Sequence, residues 1–443
     1  MITIFACKLY GSAMKKIIIS ILLFTYLSCC GSDVYLIERL KTAIPLNQEQ
    51  VVFLQELARQ YPTSYKNYSI PQSIDIPLFR AYPTLGQALP YISLGSFPTP
   101  VQQLSTFSAT YGLKKFYMKL DGLSGGFHQG RQLFGGNKVR KLEFLLADAV
   151  QHGVTTVMTF GAAGSNHALC TAVYAQLLGL DSILHLLNQA NSRVVQRNLL
   201  SDLQAGARIN AYENRDTRAM GALKAFVECK VREGRFPYSI RTGGSCPLGA
   251  TGFVNAVFEL KEQIISGDMP EPDRIYVALG IGSSGTAAGL LVGLKAAGLK
   301  SKLIAVGVEP ENFAGQAEQG LLKLAKATNA FLHEADESFP LVEMKSTDYQ
   351  VITTYGGRGY GIFTSEGMQV KAELKAQENI LLDGTYTAKA FAGFLADCQS
   401  HKDEILLFWH TFDGTARPSM ADYRELPLPL HKYFETDVQE LDR

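Results

Sequence analysis

The stretch GGNKVRKLEFLLADA, residues 135–149, sets one lysine behind two glycines and an amide, at the start of a helical pattern. Val139, Leu142, Leu146 and Ala149 fall on one face at helical spacing, and Gly153 stands where a C-terminal cap is expected. Backbone without side chains lets a flat molecule come close to a lysine fixed on a stiff element. Lys138 is therefore suited to holding pyridoxal phosphate as a Schiff base. The same residues also read as a glycine turn leading into a basic, solvated helix.

Outward from this stretch, strands and helices alternate. TTVMTF is a β-branched apolar run that ends in GAAGSNHA, residues 161–168, and a helix follows to Leu178, closed by Gly179. SILHLL, VVQRNLLSDLQ and ARINAY continue as strand, helix and strand, with another helix before PYSIRTGG. A second series follows RTGGSCPLGATG: a helix over 253–265, a strand over 274–279, the loop GIGSSGT, a helix over 287–297 and the strand LIAVGVEP. This alternation predicts an α/β chain with two open, twisted parallel-sheet domains and a ligand in the cleft between them, at the strand ends. The expected division is a large domain over 96–140 and 249–425, with a small α/β domain over 141–248.

Two loops have the chemistry to hold a ligand. GIGSSGTAAG, residues 280–289, joins an apolar strand to an apolar helix and offers backbone N–H groups and hydroxyls at a helix N-terminus, which suits a phosphate. No lysine follows it, and its glycine spacing and the missing acidic partner do not match a dinucleotide site. In GAAGSNHA, Ser165 and Asn166 stand at or beside a helix N-cap, where they either cap the helix or hold a substrate carboxylate. His167 reads as a packed helix residue.

Composition narrows the partners. The chain has 443 residues, 47% hydrophobic and 19% charged, and its net charge of +1 comes from scattered Lys and Arg. No footprint for nucleic acid results, and small ligands are favoured. Cys7, Cys29 and Cys30 lie near the N-terminus, while Cys170, Cys229, Cys246 and Cys398 are dispersed with no C-x-x-C pair, so no metal site is expected. Residues 1–35 read as a leader: from Met14, two lysines, the apolar run Ile17–Leu27 and then Cys29 and Cys30 have the layout of a secretory or lipoprotein signal. A lipid anchor and a periplasmic or membrane-anchored location follow if that leader is real. Residues 36–95 read as an extension, with one helical stretch over 48–60 and then a Pro- and Tyr-rich segment.

Six motifs carry a resemblance. GGNKVRKLEFLLADA, GAAGSNHA, GGSCPLGATGFV, GIGSSGTAAGL, GRGYGIFTSEG and LLDGTYTAKAFAG occur in the order found in D-cysteine desulfhydrases and 1-aminocyclopropane-1-carboxylate (ACC) deaminases. These are fold-type II pyridoxal-phosphate enzymes, related to tryptophan synthase β. The resemblance implies that Lys138 carries pyridoxal 5′-phosphate and moves the α-proton. It implies that Asn166 meets the cofactor's phenolic oxygen, that Ser165 holds the substrate carboxylate, and that Ser283, Ser284, Gly285 and Thr286 form the phosphate cup. Tyr360 and Tyr386 match two tyrosines that face the substrate. ACC deaminases resemble one another in a glutamate after the second tyrosine, opposite the pyridine nitrogen. Here that residue is Thr387, as in the desulfhydrases, and HisThr at 410–411 resembles their HTGG, which makes Thr411 the hydroxyl at that nitrogen.

The resemblance thus implies a lyase that removes the β-substituent of a small amino acid, D-cysteine above all, in a cytoplasmic homodimer. ACC deaminase is the nearest alternative. A non-catalytic, exported amino-acid-binding protein on the same fold is the alternative of another class. Three departures lie near the expected pocket. HTGG becomes HTFDG, which puts Phe412 and Asp413 where small residues are expected; FHQGRQLF lengthens the link before GGNK; and Gly164 replaces a glutamine in GAAGSN.

Overall fold

Apolar strand runs such as Ile275–Leu279 and Leu303–Val306 cannot face water on either side, so helices must cover both faces of the sheet they form. In the computed structural model, which describes residues 75–280, 282–415 and 419–443, they sit in a six-stranded sheet. Its order is Val101–Gln103, Lys115–Leu120, Ile405–His410, Arg274–Leu279, Lys302–Gly307 and Tyr349–Ile352. The first strand is antiparallel to its neighbour, with Val101 opposite Lys119, and every other pairing is parallel. A second, four-stranded sheet is wholly parallel: Arg208–Tyr212, Asp181–Leu187, Thr156–Ala162 and Tyr238–Ile240. All its strands come from residues between two strands of the larger sheet. The leader and the helical stretch expected over 48–60 lie outside the described residues.

The Lys138–Gln151 helix departs from the one-faced pattern expected of it. Arg140, Lys141 and Glu143 are buried along with Val139, Leu142, Leu145 and Leu146. The reason is its central position, wedged against Pro247–Ile265 and the Asn166–Leu177 helix. Buried charge there is tolerated because it is paired. The Arg140 guanidinium donates to Asp121 (2.8 Å) and to Glu259 (2.9 Å), and Lys119 Nζ donates to Glu259 (2.5 Å). Trp409 Nε1 also donates to Asp121 (2.8 Å). Despite burial, Arg140 and Lys119 hold the Glu259 carboxyl down to about 2. This cluster locks the helix, and with it Lys138, to the adjacent strands Lys115–Leu120 and Ile405–His410 of the larger sheet.

The Pro- and Tyr-rich segment packs against the main body. Pro77–Ala81 and Pro83–Ala88 are short helices, each opened by a proline at its first position, and Leu78, Phe79 and Leu85 enter the main core. The insert FHQGRQLF makes a small hairpin, Phe127–His128 against Arg131–Gln132. Residues 423–443 return to the smaller unit, where Leu426, Leu430 and Tyr433 pack with Val195 and Leu199. There Gln439 N donates to Asn191 O (3.1 Å), and the Gln439 side chain accepts from Phe363 N (2.7 Å) and donates to Gly361 O (3.0 Å).

Candidate active site

The residues singled out from the sequence converge where strand ends of both sheets meet the start of the Lys138 helix. Gly136 has φ +92, a conformation open to glycine, and a Cβ there would lie 2.8 Å from Thr411 O. Gly136 N donates to Asp121 O (3.0 Å) and Asn137 N to Thr411 O (3.2 Å), so the lysine loop is bonded to the end of the Ile405–His410 strand. Asp413 braces the same loop: its carboxylate accepts from Gly135 N (2.7 Å) and from Thr415 N (2.8 Å). The Asp413 departure is thus a support for the lysine loop.

Lys138 has no hydrogen-bond partner among the described residues. Burial lowers its amine to about 8, against the pull of Cys170 and Asp383. Lys141, one turn further on, was not singled out from the sequence. Its Nζ donates to Gly243 O (3.0 Å) and lies 3.1 Å from where a Cβ on Gly285 would be. Burial, and then the neighbouring Lys138, push it well below the usual lysine range. The signal was present in the motif, since positions three apart share a helix face. His167 is buried beside both lysines; its Nε2 meets Thr159 Oγ1 (3.0 Å), and burial and the two cations keep it neutral.

The phosphate-cup residues are arranged as an anion site. The Gly285–Ala297 helix begins without a side-chain cap, as do Lys138–Gln151 and Pro247–Ile265, whereas Ser192, Asn214 and Thr364 cap helices elsewhere. Uncapped first-turn N–H groups attract an anion. Thr286 Oγ1 accepts from Asn137 Nδ2 (2.8 Å), Gly285 N donates to Ser245 Oγ (3.1 Å), and Ser283 N closes a tight turn onto Gly280 O (3.0 Å). Ser284 Oγ reaches Gly320 O at 3.4 Å. Two lysines made less basic by burial, with Lys141 turned to the start of the Gly285 helix, suit a phosphate ester beside an aldehyde carbon. The residues present therefore fit pyridoxal phosphate.

Ser165 caps the Asn166–Leu177 helix, accepting from Ala168 N (3.1 Å), which leaves its own hydroxyl hydrogen to donate. Asn166 opens that helix, and Cys170, four residues on and so on the same face, is felt by Lys138. Tyr360 and Tyr386 are brought together with their hydroxyls 2.6 Å apart, and Tyr386 Cε1 lies 3.5 Å from a Cβ placed on Gly280 of the cup loop. Burial pushes Tyr360 up to about 12 and Tyr386 higher, so both stay protonated at neutral pH.

Thr387 and Thr411 divide differently from each other. The Thr387 hydroxyl is fully buried and donates to Asp383 Oδ1 (2.7 Å), while Asp383 also accepts from the amides of Thr385, Tyr386 and Thr387. It is part of a helix start and is not offered to a ligand. Thr411, half-buried beside the lysine loop, has no side-chain partner among the described residues.

The chain is similar to known proteins of one family. The family described as pyridoxal-phosphate dependent enzyme matches residues 92–411. A Thermotoga maritima protein provisionally named 1-aminocyclopropane-1-carboxylate deaminase is 35% identical over 72% of this chain and 95% of its own. A D-cysteine desulfhydrase of Yersinia pestis is 34% identical over 74% of this chain and 96% of its own. The crystal structure of an ACC deaminase homologue superposes with a TM-score of 0.64 at 31% identity, covering 81% of this chain and all of that one.

Proposed function

The chain belongs to the pyridoxal-phosphate-dependent enzymes, and on that premise we propose that it is a lyase acting on D-cysteine. With water, D-cysteine gives pyruvate, sulfide and ammonia. Membership of this enzyme family sets aside the non-catalytic binding alternative.

The observation that carries the reading is the pair Thr387 and Thr411. No carboxylate stands at 387, and Thr411, at the strand end against the lysine loop, has a hydroxyl without a partner among the described residues. Asp383 and Asp413, the acids nearest these threonines in sequence, already accept from backbone amides. Bound pyridoxal phosphate would supply the electron sink that makes a substrate α-hydrogen acidic. A hydroxyl at 411 holds no extra proton on the cofactor ring, which suffices where a thiolate departs and carries charge away. Opening a cyclopropane ring asks for a stronger sink.

The chain's own residues have these tasks. Lys141, Thr286 and the first-turn amides that follow Gly285 would hold the phosphate. Ser165 and the first-turn amides of its helix would orient the substrate carboxylate. Lys138, with an amine at about 8, has a base form within reach of neutral pH and would take the α-proton. The Tyr360–Tyr386 pair stays protonated and can donate one hydrogen to the departing group. The test is pyruvate release from D-cysteine, L-cysteine and ACC side by side. Release from D-cysteine, accompanied by sulfide, is expected; release from ACC alone would contradict the reading and favour the deaminase alternative.

A further inference from the structure

Arg197 and Asn198, on the Arg193–Gln204 helix of the smaller unit, form a chain that ends on Asn166. Arg197 Nε and Nη2 donate to Asn198 Oδ1 (3.1 and 3.0 Å). Asn198 Nδ2 donates to Asn166 Oδ1 (2.8 Å) and to Gly164 O (2.9 Å). A guanidinium can only donate, so Asn198 must turn its oxygen toward Arg197 and its nitrogen away. Asn166 must then accept with its oxygen, and its own Nδ2, which has no partner among the described residues, is left to donate. One cation thus fixes two amides in series, and the usual ambiguity of amide orientation is removed.

The departures from the family pattern converge on this chain. The Arg197 guanidinium lies 5.4 Å from the Phe412 ring centroid and 5.9 Å from that of Phe134, the last residue of the insert before GGNK. Gly164 brings its carbonyl to Asn198, and a Cβ there would lie 2.8 Å from Val195 Cγ2 of the same helix. Phe412, the insert and Gly164 therefore serve one arrangement.

We propose that Arg197 and Asn198 are positioning residues that hold Asn166 as a one-way donor toward the ring oxygen of the cofactor. The inference rests on the reading that Asn166 meets that oxygen. Asn198→Asp inverts the chain: an aspartate can only accept, so Asn166 must give its nitrogen to it and present its oxygen outward. The apoprotein is titrated with pyridoxal phosphate, and affinity and visible absorbance are read for wild type, Asn198→Asp, Asn166→Asp and Arg197→Met. Asn198→Asp is expected to weaken binding about tenfold or more, the loss of one hydrogen bond to a charged oxygen. It should also change the absorbance as Asn166→Asp does, which loosened packing alone would not reproduce. Arg197→Met, which leaves Asn198 in place, is expected to shift both readouts the same way by less. Wild-type affinity and absorbance in folded Asn198→Asp, while Asn166→Asp alters both, overturn the inference alone. Should Asn198→Asp fail to fold, an unchanged Arg197→Met overturns it instead. No change in Asn166→Asp, or no uptake by wild type, overturns the reading beneath it.

Discussion

Lys138, half-buried, and Lys141, fully buried, stand three positions apart on one helix, both made less basic by desolvation, yet their surroundings assign them different tasks. Lys138 has no partner among the described residues, whereas Lys141 is tied to Gly243 O and turned to the Gly285 cup. Lys141→Ala is expected to keep a covalently held cofactor and weaken its affinity about tenfold or more, through loss of one charge-assisted contact. Titration of the apoprotein with pyridoxal phosphate reads this directly, and unchanged affinity would remove Lys141 from the phosphate site. Lys138 was legible in the sequence because glycines and an amide precede it. Lys141 was not, because a second lysine in a helical run also reads as a solvated face. Only the burial of that whole face, which depends on distant Pro247–Ile265, distinguishes the two readings.

At the scale of elements, strand ends and helix starts were legible, since β-branched runs ending in glycine loops mark them locally. The strand Arg274–Leu279 lies where its motif places it. The two ligand-loop helices start at Asn166 and Gly285, two residues earlier than the apolar pattern marks, because their first turns are built from the polar and glycine residues of the loops. What the sequence could not show is how one element supports another across the fold. HTFDG puts Phe412 and Asp413 where small residues are expected, and in the fold Asp413 holds Gly135 and Thr415 while Phe412 meets Arg197. Asp413→Ala leaves the buried Gly135 N–H without that acceptor and should cost about 1–3 kcal/mol of stability. Thermal unfolding of the holoenzyme measures it, and a loss below about 0.5 kcal/mol would mean that the brace carries no strain of the lysine loop. Thr387 teaches the same lesson: its hydroxyl belongs to the Asp383 turn, which only the folded helix start reveals.

For the whole molecule, the two sheets share one site, and the chain's last residues return to the smaller unit after the larger sheet is complete. The Arg193–Gln204 helix that receives them contains a buried acid, Asp202, with neither carboxyl oxygen bonded among the described residues. Burial raises its carboxyl well above the ordinary value of 3.8, so the folded state holds a proton that the unfolded state releases. Stability is then undiminished below that ordinary value and falls as pH rises toward the folded one. Asp202→Asn removes the linkage without changing shape. Its advantage over wild type should be near zero around pH 4 and grow by about 1.4 kcal/mol per pH unit above that, until the folded pKa is reached. Melting temperatures across pH test this, and a constant difference would contradict it. Which amine carries the cofactor can be read directly by trapping it. Holoenzyme treated with borohydride, digested and sequenced by mass spectrometry should bear the reduced pyridoxyl group on Lys138. A label on Lys141, or on neither lysine, would contradict the site described here.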